Sequence, residues 1–214
     1  MNLELFAPSA GERESLGPRA FVLRGFALPF VEELLPAIQA VEQESPFRHM
    51  VTPGGFSMSV ALSNCGSLGW TTDRHGYRYT RIDPDSGQPW PAMPTVFARM
   101  AREAAAAAGF HNFEPDACLI NRYLPGARMS LHQDKNERDY DSPIVSVSLG
   151  MSAIFLFGGH KRSDKAMKTA LHHGDVVVWG GEDRLRYHGV MPLKDQPHPL
   201  LGSQRINFTF RKAG

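Results

Sequence analysis

The feature that most constrains the fold is a series of five short segments in the second half of the chain. Each is rich in β-branched or aromatic residues and bounded by Gly, Pro or Asp, and no helical pattern alternates with them. The segments are CLINRYL, IVSVSLG, AIFLFGG, DVVVWGG and RINFTFR, which begin at Cys118, Ile144, Ala153, Asp175 and Arg205. Strands without intervening helices argue against a doubly wound α/β sheet and favour a β-sandwich or barrel.

Two helices are predicted before these strands. The first covers about Phe30 to Glu44, where Pro36 suggests a kink or a later start. The second covers about Pro94 to Ala108, because its apolar residues recur at helical spacing and Gly109 follows as a C-cap. The predicted fold class is therefore α+β, with N-terminal helices packed on a β-sandwich.

The composition limits the class of protein. The 214 residues are 42% hydrophobic and 21% charged, which suits one globular domain with a sizeable core. We find no apolar run of transmembrane length and no secretory signal, so we expect no membrane partner and a cytoplasmic location. Cys65 and Cys118 fit free thiols in a reducing compartment. The net charge of +1 leaves nucleic acid open, since contact with a single nucleotide needs only local basic patches.

The segment RINFTFR alternates between an apolar and a polar face. Its polar face carries Arg205, Asn207, Thr209 and Arg211, with no carboxylate among them. In a cavity this row of donors would hold a small dianion, because the guanidinium fork matches a carboxylate bidentately. A solvated edge strand would explain the same alternation, and the segment alone does not decide between the two.

A smaller polar pair lies in CLINRYL. Asn121 and Tyr123 share one face, with Arg122 on the other. An amide and a phenol could add hydrogen bonds to the same ligand, although a satisfied sheet surface is the more frequent role for such a pair.

A metal site is indicated by the stretch LHQDKNE. His132 and Asp134 are two residues apart and therefore share a face of an extended chain. A lone HxD pair is weak evidence and needs a third ligand. The tandem 172–173 histidines precede DVVVWGG, but His188 in RYHGV is the best candidate because it follows a Gly-rich turn. Two His and one carboxylate are the ligand set of non-haem Fe(II), while zinc stays possible from ligand type alone.

These features combine into one kind of site. An HxD pair, a distant His and a strand with two Arg describe Fe(II) beside a dicarboxylate pocket. 2-Oxoglutarate is such a ligand, since one end chelates iron and the other needs a cationic partner.

The sequence resembles the AlkB family of DNA and RNA alkylation-repair dioxygenases. The resemblance rests on SPFRHMVTPGG, NCGSLGW, PDACLINRYLPGA, SLHQDKNE, PIVSVSLG, HGDVVVWGGEDRLRYHGV and RINFTFR, within about Phe21 to Arg211. It implies a double-stranded β-helix, or jelly roll, with N-terminal helices and a nucleotide-recognition lid. Residues 1–20 would be an N-terminal extension and 21–214 a single dioxygenase domain, with the lid at about 47–90 and the jelly-roll core at about 115–212.

The resemblance also implies a role for each candidate residue. Iron would be bound by His132, Asp134 and His188. 2-Oxoglutarate would be held by Asn121, Tyr123, Arg205, Asn207 and Arg211, with Arg205 on the distal carboxylate. The substrate base would be contacted by Trp70, Tyr77, Arg78, Tyr79, Asn136 and Arg162, with Trp70 stacking on the flipped base. Trp179 and Trp90 are expected to be packing residues.

The reaction that the resemblance implies is oxidative demethylation of N-alkylated bases such as 1-methyladenine and 3-methylcytosine. It would use Fe(II), 2-oxoglutarate and dioxygen and release formaldehyde and succinate. The expected substrates are alkylated single- and double-stranded DNA and also RNA, and the expected state is a monomer. Two alternatives stay open: a hydroxylase acting on a protein or small molecule, and a jelly-roll binding module without turnover. The lid match favours the nucleic-acid enzyme.

One residue departs from the family pattern. The resemblance leads us to expect an acidic side chain at position 136, placed to contact the exocyclic amino group of the base. Asn136 can still accept a hydrogen bond through its carbonyl, but it brings no charge. We therefore expect a working site with a shifted base preference.

Overall fold

The computed structural model describes residues 11–214, which form two α-helices and thirteen strands. The helices are α1 Val31–Glu44 and α2 Thr95–Ala107. The strands are β1 Arg13–Gly17, β2 Ala20–Leu23, β3 Ala61–Gly66, β4 Gly69–Asp73, β5 Gly76–Thr80, β6 Ala117–Tyr123, β7 Met129–His132, β8 Ile144–Gly150, β9 Ala153–Phe157, β10 Met167–Leu171, β11 Val176–Trp179, β12 His188–Val190 and β13 Arg205–Arg211.

Two of the sheets form a sandwich. A seven-stranded sheet has the order β1-β2-β11-β8-β13-β6-β3, and a four-stranded sheet has the order β10-β9-β12-β7. From β8 onward the chain passes repeatedly between the two sheets, which is the connectivity of a jelly roll. The predicted fold class is confirmed. A separate hairpin of β4 and β5 lies outside both sheets.

The two helices cover the outer face of the large sheet. In α1 the buried side chains include Leu34 and Ile38, and α2 buries Phe97 within the same apolar cluster. The Phe97 ring meets Phe208 edge-on at a centroid distance of 4.8 Å and Phe210 at 6.2 Å. This packing fixes β13 from behind, since both phenylalanines belong to that strand.

The helix predictions agree with the structure to within a residue. A 3-10 turn at Leu28–Phe30 leads into α1, which contains Pro36. The possible later start is therefore wrong. After α2, Gly109 has φ +84°, the left-handed conformation expected of a glycine that ends a helix.

The interpretation of RINFTFR as a solvated edge strand is wrong. The strand β13 lies between β6 and β8, and all seven of its residues are buried. Its apolar side chains enter the core beneath the helices. Its polar side chains therefore face the space between the two sheets.

The N-terminal segment takes part in the large sheet. Strands β1 and β2 pair with each other, and β2 continues onto β11. Buried Arg24 ties them down, because its guanidinium pairs with Asp175 at 2.7 Å and also with Glu14. Thus residues 13–17 of the expected extension lie in the sheet, whereas residues 1–10 are outside the described part.

The region 47–90, assigned to the lid, has two parts. Strand β3 pairs with β6 at the edge of the large sheet, whereas the β4–β5 hairpin stands apart. Among the described residues, no helix has the length and apolarity that a bilayer crossing requires.

Candidate metal and cosubstrate site

A cavity of about 770 Å³ opens between the two sheets. Both sheets and the β4–β5 hairpin contribute to its lining. It collects most of the predicted site residues: Trp70, Tyr77, Asn121, Tyr123, His132, Asp134, Asn136, Arg162, His188, Arg205, Asn207 and Arg211. Arg78 and Tyr79 are the predicted site residues that do not line it.

The predicted metal ligands come together at one end of this cavity. Strands β7 and β12 are antiparallel, and their register places His132 directly opposite His188. Asp134 lies two residues after the end of β7. Its carboxylate oxygens lie 3.8 Å from His132 Nε2 and 3.6 Å from His188 Nε2. One ligand atom from each residue lies within 4.8 Å of the others, a spacing that one ion can bridge.

Both imidazoles are held in the tautomer that a metal ligand needs. His132 Nδ1 lies 2.8 Å from the carbonyl of Ser130, and His188 Nδ1 lies 3.0 Å from the carbonyl of Arg186. A carbonyl only accepts, so each Nδ1 must donate its hydrogen. Each Nε2 is left with a lone pair facing Asp134, as in metal sites whose ligands are oriented by a second hydrogen bond.

The ionisation states also suit a cation. Burial, and secondarily the nearby His188, lowers the pKa of His132 to about 4, so that this imidazole is neutral at pH 7. Burial alone would raise the pKa of Asp134, but the guanidinium of Arg211, which donates to Oδ2 at 2.7 Å, holds this pKa well below its ordinary value. A neutral His beside an ionised carboxylate offers lone pairs without a proton to displace. The donor set therefore fits Fe(II).

The tandem histidines lie elsewhere. His173 Nδ1 accepts the backbone N–H of Gly150 at 3.0 Å, and its ring stacks on His198. His172 Nδ1 lies 2.9 Å from the Ser152 hydroxyl. Neither belongs to the metal cluster found among residues 11–214.

Arg205 provides a second cationic point in the cavity. Its side chain is 1% exposed, and its Nη2 donates to Ser148 Oγ at 2.8 Å. Its Nε and Nη1 have no hydrogen-bond partner within the described part of the chain. Burial lowers its pKa, while the ring of Tyr123 lies 4.9 Å from the guanidinium carbon. A buried guanidinium with two unpartnered nitrogen donors fits a carboxylate ligand.

The other polar side chains of β13 and β6 differ in whether they have hydrogen-bond partners within the protein. Asn207 Nδ2 donates to Ser146 Oγ and to the carbonyl of Val147, both at 2.8 Å. Asn121 Oδ1 and Arg211 Nη1, by contrast, have no partner among residues 11–214. The free acceptor and the free donor lie in the same cavity as the metal cluster.

Aromatic residues form the mouth of the cavity. Trp70 on β4 stacks on Tyr77 of β5, with ring centroids 5.7 Å apart and planes 22° apart. The indole Nε1 of Trp70 donates to Asn136 Oδ1 at 3.2 Å. The Asn64 side chain bonds both the N–H and the carbonyl of Trp70 at 2.9 Å, which fixes the backbone of this residue. The mouth therefore presents a held, partly exposed aromatic surface.

Two lid residues have other surroundings than the sequence indicated. Arg78 pairs with Asp73 at 2.6 Å within the hairpin. Tyr79 is half-buried and donates its hydroxyl to Glu137 Oε1 at 2.6 Å. The sequence did not mark Glu137 as a site residue, because its only signal was its place three residues after Asp134.

The other aromatic predictions agree with the structure. Trp179 is 1% exposed and packs in the core between the sheets, although one side of it reaches the cavity. Trp90 packs against the β4–β5 hairpin, where a Cβ on Gly69 would overlap its ring.

A jelly roll with two His and one carboxylate beside a buried, partly free arginine defines a class, the non-haem iron oxygenases that use a dicarboxylate cosubstrate. Comparison with known proteins agrees. Residues 20–211 match the model of the 2OG-Fe(II) oxygenase superfamily. The chain is 59% identical to the alpha-ketoglutarate-dependent dioxygenase AlkB of Salmonella typhimurium over 99% of this chain and 98% of the relative.

Two further relatives widen the comparison. A DNA N(6)-methyladenine demethylase, ALKBH1C of Arabidopsis thaliana, is 32% identical over 68% of this chain and 38% of its own length. The solved structure of OsALKBH1 superposes with a TM-score of 0.80 at 28% identity, covering 94% of this chain and all of that one. The chain belongs to the AlkB family of 2-oxoglutarate- and Fe(II)-dependent dioxygenases.

Proposed function

We propose that this protein demethylates N-alkylated bases in DNA by oxidation, with release of formaldehyde and succinate. One observation carries the proposal: the metal cluster, the free arginine donors and an aromatic mouth all line a single cavity. The ALKBH1C relative, whose name describes a DNA demethylase, supports a nucleic-acid substrate.

His132, Asp134 and His188 would hold the iron. When bound, iron together with 2-oxoglutarate and dioxygen supplies the oxidation of the methyl C–H bond. The protein contributes position. The two backbone carbonyls that fix the histidine tautomers keep both Nε2 atoms aimed at one point.

Arg205 would bind the distal carboxylate of 2-oxoglutarate through its free Nε and Nη1, with Tyr123 beside it. Arg211 would serve the end nearer the metal through Nη1, which has no partner among the described residues. Asn121 lines the same cavity and would serve that end through its amide N–H after a flip of the side-chain amide, since 2-oxoglutarate has only acceptor oxygens. Asn207 would support the pocket, since its amide is already bonded to the neighbouring strand β8.

Trp70 and Tyr77 would receive the base after it leaves the stack. Flipping a base out of the duplex costs a few kcal/mol, and the cost is lowest for a damaged base that pairs badly. Stacking of the flipped base on an aromatic side chain offsets this cost by about 1–3 kcal/mol per base. A methylated base that carries positive charge gains further from the indole face. Arg162 and Asn136 are both exposed and line the same cavity, where they would contact the nucleotide. Asn136 would do so beside the hairpin, because it accepts the bond from Trp70.

The structure suggests indirect roles for two of the predicted substrate residues. Arg78 would shape the hairpin through its pair with Asp73. Tyr79 would anchor the hairpin through Glu137. We extend the proposal to single- and double-stranded DNA and to RNA, because one flipped nucleotide would fill the site whichever polynucleotide carries it. We extend it also to a monomeric enzyme, because one chain supplies the whole lining of the cavity.

The competing function is hydroxylation of a protein or small molecule at the same metal centre. The aromatic pair at the mouth favours a planar substrate, which a peptide side chain seldom offers. A methylated oligonucleotide with Fe(II), 2-oxoglutarate and oxygen should yield formaldehyde and the unmodified base. His132→Ala should abolish both products. Succinate formation by the wild type without any restored base would favour the competing function.

A further inference from the structure

Behind the metal cluster lies a closed ring of four buried charges. Arg211 donates through Nε and Nη2 to Asp134 Oδ2, at 3.1 and 2.7 Å. Its Nε also lies 3.4 Å from Glu137 Oε1. Arg184 closes the ring, since Nη2 reaches Glu137 Oε2 at 3.2 Å and Nη1 reaches the Asp134 carbonyl at 2.8 Å. Two cations face two anions, so the ring is electrically balanced.

Glu137 has a special place in this ring. Its side chain is 1% exposed, as buried as the arginines it faces. Unlike Asp134, it points no oxygen at the histidines, because both of its oxygens are occupied by Arg211, Arg184 and Tyr79. Of the two arginines that hold Glu137, only Arg211 also lines the cavity, so the effect of Glu137 on the cosubstrate pocket passes through Arg211.

The hydroxyl of Tyr79 connects the ring to the mouth of the cavity. On the β4–β5 hairpin, Tyr79 is the cross-strand register partner of Trp70. The two side chains thus share a face, and a shift of the hairpin moves both. Its hydroxyl meets Glu137 Oε1 at 2.6 Å, a short bond to a charged acceptor.

We propose that Glu137 is a positioning residue that couples the lid hairpin to the cosubstrate pocket. The connection runs from Trp70 through Tyr79 and Glu137 to Arg211, whose Nη1 has no partner among residues 11–214 and faces the cavity. A base that settles on the hairpin fixes Tyr79, and Glu137 then fixes the guanidinium that receives 2-oxoglutarate. This inference rests on the proposed function, since it assumes that the base enters beside Trp70.

Coupling of this kind is reciprocal. A bound oligonucleotide must increase the affinity for 2-oxoglutarate by the same factor by which bound 2-oxoglutarate increases the affinity for the oligonucleotide. A single hydrogen bond to a charged group sets an upper limit of roughly 150-fold on this factor, and a coupling carried by one such contact should lie near the low end of the typical range. Tyr79→Phe removes only the hydroxyl and leaves the buried charges paired. It should therefore fold normally and lose the coupling.

The test measures 2-oxoglutarate affinity by calorimetry with Mn(II) in place of iron, without oxygen, with and without a methylated oligonucleotide. In the wild type we expect the oligonucleotide to tighten binding by about three- to tenfold. In Tyr79→Phe the change should fall below about 1.5-fold. Tyr140→Phe is the matched control, because its hydroxyl donates to the Lys135 carbonyl in the same loop and does not contact Glu137. It should keep the wild-type factor.

A second variant guards against a purely structural effect. Glu137→Gln keeps the shape but removes the charge, so it should weaken 2-oxoglutarate binding and abolish the coupling. Adding Tyr79→Phe to it should change nothing further, since both act through one contact. The proposal is overturned if the wild type shows no coupling, if Tyr79→Phe retains it, or if Tyr140→Phe loses it. Wild-type demethylation without coupling would refute this inference alone, whereas a wild type that never restores the base would refute the proposed function.

Discussion

The indole Nε1 of Trp70 donates a hydrogen bond to Asn136 Oδ1 at 3.2 Å. The bond joins the aromatic residue at the cavity mouth to the loop that follows the metal ligand Asp134. An aspartate at position 136 would accept the same bond but add a negative charge at the mouth. The amide of Asn136 therefore holds the indole without adding a negative charge that would attract a cationic base.

This relationship leads to a prediction for Asn136→Asp. Since 1-methyladenine and 3-methylcytosine are cationic, the new charge should favour them over the neutral 3-methylthymine. An exposed charge pair is worth up to about 1 kcal/mol, so the ratio of kcat/KM values should rise up to about fivefold. Initial rates on three matched oligonucleotides measure it. Identical profiles for the two proteins would show that position 136 does not determine base preference.

Trp70→Ala should weaken the use of the methylated base but leave the metal site intact. Loss of stacking worth about 1–3 kcal/mol predicts a fall in kcat/KM of roughly 5- to 150-fold. Succinate formation without oligonucleotide should stay near the wild-type rate, because the hydrogen bonds and ring stacking that the structure gives Trp70 are with Asn64, Asn136 and Tyr77. Trp70→Phe keeps a smaller ring, so its kcat/KM should lie between the values of the wild type and Trp70→Ala. Equal loss of both activities would place Trp70 in the fold rather than at the substrate.

Arg205→Ala should raise the 2-oxoglutarate concentration required for turnover. The pocket would lose a charge-assisted pair of about 1.5–3 kcal/mol, so the KM should rise roughly 10- to 150-fold. The variant should still fold, since no buried carboxylate among residues 11–214 is bonded to Arg205. Arg205→Lys keeps the charge but loses the fork and should be intermediate. An unchanged 2-oxoglutarate KM would remove Arg205 from the cosubstrate site.

The stability of the metal-free protein should depend on pH through His132. Burial, and then His188, lowers its pKa in the folded chain to about 4, whereas an unfolded His titrates near about 6.5. The unfolded chain therefore binds more protons between these values, and stability falls as the pH is lowered from about 6.5 towards 4. The urea concentration at the midpoint of unfolding, measured at pH 7, 6 and 5, should fall less steeply with decreasing pH for His132→Ala than for the wild type. Parallel slopes would show that this imidazole keeps an ordinary pKa when folded.

Local patterns in the sequence were sufficient for much of the fold. Strict alternation marked β13, and dense β-branched runs marked β8, β9 and β11. Strand β10 escaped prediction because MKTAL has few β-branched residues and only half of its side chains are covered. Strand β7 escaped because MSLH is four residues long and ends in a metal ligand. Such strands are specified by their partners rather than by their own composition.

The candidate site, like the fold, could be predicted only in part from local sequence. The spacing of His132 and Asp134 predicted a shared face, and His188 then proved to be the register partner of His132. The ring behind them was not predictable, since Arg184 is 47 residues from Glu137 and only the fold brings them together. The alternation of side chains along β5 places Tyr77 and Tyr79 on one face but could not separate their roles. Only the fold shows that Tyr79 bonds Glu137, whereas Tyr77 lies at the mouth of the cavity.

The central claim is that oxidation of the cosubstrate is coupled to removal of a methyl group from a base. Mass spectrometry of one reaction with Fe(II), 2-oxoglutarate, oxygen and a 1-methyladenine oligonucleotide measures succinate, formaldehyde and restored adenine together. The account predicts that formaldehyde and restored adenine appear in equal amounts, matched by the succinate formed above the oligonucleotide-free level, and that His132→Ala yields none of the three products. Succinate in the same amount with and without the oligonucleotide, with the mass of the methylated strand unchanged, would contradict it.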